Sequence, residues 1–109
     1  MLHKMKLKES PFERIKNGTK TVEFRLYDEK RQQIKIGDII EFYKLPELEE
    51  KIKVEVLDLY KDSSFNELFK KIFTNNDEIE EKTKTMMQYY SHEQEEKYGV
   101  VGIKIKLIQ

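Results

Sequence analysis

The densest run of groups able to do chemistry is Gly18-Thr19-Lys20-Thr21-Val22-Glu23-Phe24-Arg25. On an extended strand Glu23 and Arg25 stand two positions apart and share a face, and strict alternation puts Thr21 with them. A glycine turn at Gly18 can bring Lys20 to the same mouth. Arg25 can fork two donors onto a phosphate or a base edge, and Lys20 can neutralise a phosphate. Glu23 can accept from an exocyclic amine or serve as a general base. The plainer alternative is a cross-strand ion pair of Glu23 with Arg25 on a wet sheet face.

A second cluster is polar and aromatic, Tyr89-Tyr90-Ser91-His92-Glu93-Gln94-Glu95-Glu96-Lys97-Tyr98. Tyr90 and Tyr98 could stack a base while Ser91 reads an edge, or the rings could complete a core with their hydroxyls in water. Lys30 and Arg31 add positive charge near the first run, or are simply solvated loop residues. The candidate ligand-binding set is therefore Lys20, Thr21, Glu23, Arg25, Lys30, Arg31, Tyr90, Ser91 and Tyr98. If the chain is an enzyme, Lys20 and Glu23 are its candidate catalytic groups. His92 has no second His or Cys at ligand spacing and reads as a helix-start residue, so no metal site and no cofactor are expected. Phosphate-loop, dinucleotide and serine-hydrolase glycine signatures are missing.

The elements that must position these groups follow from periodicity. Residues 1–8 alternate, with Met1, His3, Met5 and Leu7 on one side. Ser10-Pro11-Phe12-Glu13 predicts a helix capped by Ser10 and closed at Asn17-Gly18. Val22, Phe24 and Leu26 form the apolar face of a strand that carries Glu23 and Arg25 on the other. Gly37-Asp38 launches a strand over 39–43, and Ile52, Val54 and Val56 mark another, with Leu57, Leu59 and Tyr60 out of phase as after a bulge or strand end. Ser64 predicts a helix cap ahead of Phe65, Leu68, Phe69 and Ile72. Residues 76–88 read as a partly exposed helix or an excursion, Ser91 caps a last helical turn ending before Gly99, and Val101, Ile103, Ile105 and Leu107 alternate in a closing strand.

These elements fit one α+β domain over residues 1–109: a small, strongly curved mixed sheet closed into a barrel-like core, with two to three helices. The 6 Phe and 6 Tyr argue for such a core despite 39% charged residues. With 21 basic and 21 acidic residues the formal charge is zero, which excludes a protein that coats polyanions over its whole surface. Cys is absent, so thiolate chemistry and disulfides are excluded. No apolar run suits a membrane span or signal peptide, and a soluble cytoplasmic protein, monomeric or weakly dimeric, is expected.

The motif Gly18-x-Lys20-x-x-Glu23-x-Arg25 resembles the signature of the ASCH domain, a branch of the PUA-like superfamily. The resemblance extends from Pro11-Phe12-Glu13-x-Ile15-x-x-Gly18 through Ile36-Gly37-Asp38-x-Ile40-x-Phe42 and Phe65-x-x-Leu68 to Tyr98-Gly99-Val100-Val101-Gly102-Ile103. It implies a PUA-like β-barrel with flanking helices, and a cleft lined by Lys20, Glu23 and Arg25 that binds single-stranded or modified RNA or a nucleotide. The role implied is in RNA metabolism or translation-related regulation. The alternative it implies is a hydrolase in the same cleft, either a ribonuclease or an amidohydrolase that deacylates modified nucleosides. Deacylases of this kind pair their lysine with a threonine nucleophile, and here Glu23 stands in the threonine's place, beside Thr21.

Overall fold

The computed structural model describes residues 1–108. In chain order the elements are β1 (Leu2–Leu7), α1 (Glu9–Lys16), β2 (Val22–Leu26), a single 3-10 turn (Arg31–Gln33), β3 (Ile39–Lys44), β4 (Lys51–Asp62), α2 (Phe65–Ile72), α3 (Asn76–Met86), α4 (His92–Tyr98) and β5 (Val100–Leu107). The strands form one mixed sheet in the order β1-β3-β4-β5-β2. The pair β1–β3 is parallel, with Lys4 opposite Glu41 and Lys6 opposite Tyr43. The pair β3–β4 is antiparallel, with Glu41 opposite Lys53 and Tyr43 opposite Lys51. Strict alternation along β1 buries His3, Met5 and Leu7, as the period of two requires.

The α+β class agrees with the sequence reading, but among the described residues there are four α-helices where two to three were expected. The extra helix is α3. It buries only Ile79, too little apolar surface for its period to stand out, yet Asn75 caps it by accepting from the Glu78 amide at 2.9 Å. Two other expectations need correction. Helix α1 begins at Glu9, not after a Ser10 cap, and Lys8 in the cap position makes no side-chain cap bond. Pro11 still falls in the first turn, where amides lack helical partners, and Glu9 stands at the positive end of the helix dipole. Strand β4 runs unbroken to Asp62. Leu57 is in phase with Lys53 and Glu55; it is an apolar residue on the outer face, not the mark of a bulge.

The chain divides into two compact units. The first comprises Met1–Glu23, Ile34–Leu59 and the residues from Ile103. It buries Phe12, Ile15, Ile40, Phe42, Val54, Val56 and Ile103 almost completely, each of these side chains contributing about 1.5–3 kcal/mol. Helix α1 packs on β3, and ion pairs hold it there: Lys44 meets Glu13 at 2.8 Å and Lys16 meets Glu50 at 2.6 Å. The hydrogen bond that Lys44 donates to Glu13 raises the Lys44 pKa, and the one that Lys16 donates to Glu50 lowers the Glu50 pKa.

The second unit comprises Phe24–Gln33 and Tyr60–Gly102, built on Leu26, Phe65, Leu68, Phe69, Ile79 and Val100. The Phe24 ring meets Phe69 edge-on at 4.8 Å between centroids, and Tyr90 stacks on Phe65 at 5.5 Å. Ser64 caps α2, as expected, by accepting from the Glu67 amide at 3.1 Å. The Phe65 amide donates to the buried Glu95 carboxylate at 2.8 Å, so α4 supplies a second cap to α2.

Candidate functional site

The turn after α1 shapes the Gly18 to Arg25 run. The Asn17 amide donates to the Glu13 carbonyl at 2.9 Å, and Gly18 adopts φ 85, a left-handed conformation that favours glycine. The Thr19 amide and hydroxyl both donate to Asn17 Oδ1, at 3.0 and 2.7 Å. The Lys20 amide then returns to the Arg14 carbonyl at 3.0 Å, and the Ile105 amide donates to the Thr21 carbonyl at 2.8 Å. Helix α1 and strand β5 thus fix the backbone on both sides of Lys20.

Lys20 Nζ lies 3.4 Å from Glu23 Oε1, with side-chain exposures of 15% and 8%. The alternative expected was Glu23 with Arg25 on a wet sheet face; the contact seen is Lys20 with Glu23, and both side chains are largely buried. Strand β2 buries Glu23 and Leu26 and leaves Val22, Phe24 and Arg25 half-buried, so the expected split into an apolar and a wet face does not hold. A carboxylate this far from water requires compensation, and the nearby ammonium group supplies part of it.

Beside this pair the first unit carries a groove of about 360 Å³. Gly18, Lys20 and Thr21 line it with Ile15, Leu57 and the β5 run Lys104, Ile105, Lys106 and Leu107. Three lysines and a threonine line it together with four aliphatic residues. That combination suits a ligand with an anionic part and an apolar or flat part. Lys104 and Lys106 were not among the sequence candidates. Their signal was present in the alternation with Ile103 and Ile105, which also describes any strand with one solvated face.

The remaining candidates belong to the second unit. Arg25 is half-buried on β2, and Lys30 is exposed just before the 3-10 turn. Arg31 pairs with Asp28 at 3.1 Å through a terminal guanidinium nitrogen, while its amide donates to the same carboxylate. Its Nε is buried without a hydrogen-bond acceptor among the described residues. Tyr90 and Tyr98 are half-buried and pack against the hydrophobic cluster, and Lys97 lies over the Tyr98 ring at 5.1 Å. Ser91 caps α4, accepting from the Gln94 amide while the Gln94 side chain accepts from the Ser91 amide at 2.9 Å. His92 opens that helix with Nδ1 3.1 Å from Glu95 Oε1. Among the described residues no three His, Asp or Glu side chains are grouped as a metal site would need, and no helix is long and apolar enough to cross a membrane.

The ASCH domain profile matches residues 5–109. The crystal structure of hypothetical protein PH0355 has 43% sequence identity over 99% of this chain and 100% of its own, with a TM-score of 0.85. The solution structure of protein PF0455 from Pyrococcus furiosus has 38% identity over 100% of this chain and 99% of its own, with a TM-score of 0.75. A serine-to-alanine mutant of ZmASCH from Zymomonas mobilis shares the fold at 14% identity, covering 96% of this chain and 67% of its own, with a TM-score of 0.66. No curated protein matches the sequence. The fold is the α+β, PUA-like fold of these proteins, and the chain belongs to the ASCH domain family.

Proposed function

We propose that this chain acts as one RNA-binding domain over residues 1–109, taking single-stranded or modified RNA, or a nucleotide, in the service of RNA metabolism or translation-related regulation. The observation that carries the reading is the groove in which Lys20, Lys104 and Lys106 surround an aliphatic floor next to the buried Glu23. Ammonium groups there are point charges for phosphate, and the floor accepts the face of a sugar or base. Arg25 supplies a guanidinium fork from β2. Arg31, paired with Asp28, stays in the contact set by its positive charge. Lys30, Ser91, Tyr90 and Tyr98 remain in the contact set, the tyrosines by their exposed edges. The protein works in the cytoplasm as a monomer or weak dimer, without a cofactor.

Fluorescence anisotropy with short labelled RNAs tests this reading. Arg25→Ala, and separately the pair Lys104→Gln and Lys106→Gln, should each weaken binding at least fivefold while the folded circular dichroism spectrum is retained. Wild-type affinity in all of these variants sinks the reading. A second reading, favoured by the buried Lys20–Glu23 pair beside Thr21, is a hydrolase of RNA or of an acylated nucleoside. Turnover of such substrates that survives Glu23→Gln unchanged would remove Glu23 from that chemistry.

A further inference from the structure

The parallel and antiparallel registers place four lysines around one glutamate on the outer face of the first unit's sheet. One row across β1, β3 and β4 reads Lys4, Glu41, Lys53, and the next reads Lys6, Tyr43, Lys51. Neighbouring strands lie about 4.8 Å apart and same-face residues about 6.7 Å apart along a strand, so the lysines stand at the corners of a small rectangle. Glu41, midway along the Lys4–Lys53 edge, is buried, with a side chain only 6% exposed. Lys51 and Lys53 stand 3.6 and 3.8 Å from Glu41 Oε2, and the Tyr43 hydroxyl donates to Oε1 at 2.9 Å. The Tyr43 hydrogen bond, joined by Lys51, Lys53 and Lys4, lowers the Glu41 pKa, so the carboxylate stays ionised and the ammonium groups stay gathered over it. The adjoining row holds Leu2, Ile39 and Glu55, so positive charge is in excess across the face.

We infer that this outer face, centred on Lys4, Lys6, Lys51 and Lys53, is a second, sequence-independent contact for the phosphate backbone of a single-stranded nucleic acid. The occupant follows from the chemistry of the surface. The four cations are lysines, which act on phosphate as point charges and demand no particular geometry. The two rows that hold them contain no aliphatic residue to insert into a bilayer, and the half-buried Tyr43 ring between them carries Lys51 Nζ over its face at 6.0 Å. The face also resolves the chain's neutrality, since a protein with no net charge can still hold a polyanion where its lysines are concentrated. The identity of this polyanion rests on the RNA reading above, but the face itself does not depend on the groove.

The test measures binding of a labelled oligouridylate to the whole chain across a salt series. Each phosphate neutralised on a single strand adds about 0.7 to the slope of log K against log salt, so the pair Lys51→Gln and Lys53→Gln should flatten it by about 1.4. The pair Lys4→Gln and Lys6→Gln should flatten it similarly while leaving the Lys51 and Lys53 contacts to Glu41 in place, which separates lost binding from a disturbed Glu41. Removing the same charge elsewhere, with Lys70→Gln and Lys84→Gln, should leave the slope unchanged. An unchanged slope in both outer-face pairs, with binding lost in the Lys104→Gln and Lys106→Gln pair, overturns the outer face and keeps the groove. Wild-type affinity in Arg25→Ala and in Lys104→Gln with Lys106→Gln, alongside flattened slopes in the outer-face pairs, does the reverse. Binding to phosphatidylserine vesicles with no binding to the oligonucleotide overturns the inference in favour of a membrane surface.

Discussion

Removing the ammonium group of Lys20 should unmask how much of the first unit's stability depends on the ion pair at the start of β2. At 3.4 Å, and with side chains 15% and 8% exposed, the Coulomb attraction in an effective dielectric near 20 is about 5 kcal/mol, most of it offset by the cost of taking both charges out of water. Lys20→Met removes the attraction and leaves the Glu23 carboxylate buried, so it should cost about 2–3 kcal/mol, discounted because Lys20 keeps some contact with solvent. For a domain of this size that corresponds to a fall of roughly 10–15 °C in melting temperature. Lys20→Met combined with Glu23→Gln removes both charges of the pair. The double variant should therefore be more stable than the sum of the two single losses by about 1–3 kcal/mol. Urea unfolding of the four proteins closes the cycle. Losses that add to within about 0.5 kcal/mol would show that the two charges do not feel each other, and would refute the buried-pair account of this site.

Three further outcomes test other parts of the structure. Gly99 adopts φ 71 with ψ −171, and a Cβ there would stand 2.9 Å from the Asp62 carbonyl oxygen. Gly99→Ala should therefore cost about 3 kcal/mol or more, and a thermal melt unchanged by this substitution would contradict the geometry. Ser91→Ala removes the hydroxyl half of the α4 capping box and should cost about 1 kcal/mol, read from urea midpoints at constant m. Asp38 has its pKa lowered by the hydrogen bond from His3 at 2.8 Å and then by the Lys35 amide at 3.0 Å. A carboxyl with a lower pKa when folded contributes stability above its unfolded value of about 4 and loses it as the pH falls toward the folded value. Stability against pH should fall on that acid side in the wild type and fall less in Asp38→Asn; identical acid limbs would remove Asp38 from the explanation.

What the sequence revealed and what it hid divide along one physical line. Period-two alternation located β1 and β5 because each strand has one face against a core, and side-chain caps located α2 and α4 because Ser64 and Ser91 each satisfy an amide three residues on. Burial of charge follows no such period. Glu23, Glu41 and Glu95 are buried, yet nothing in the runs Val22-Glu23-Phe24, Ile40-Glu41-Phe42 or Glu93 to Glu96 separates them from glutamates in water. Their partners are only partly local: Lys20 stands three residues before Glu23 and Tyr43 two after Glu41, but Lys53 faces Glu41 across the ladder and the Phe65 amide lies 30 residues before Glu95. Local repeats report which face a side chain takes, while tertiary pairing decides whether that face can hold a charge. The Lys20–Glu23 pair is the intermediate case, because its spacing was legible and its burial was not. Burial is what gives it consequence, since in water the same pair would contribute little to stability and would not orient Lys20 beside the groove.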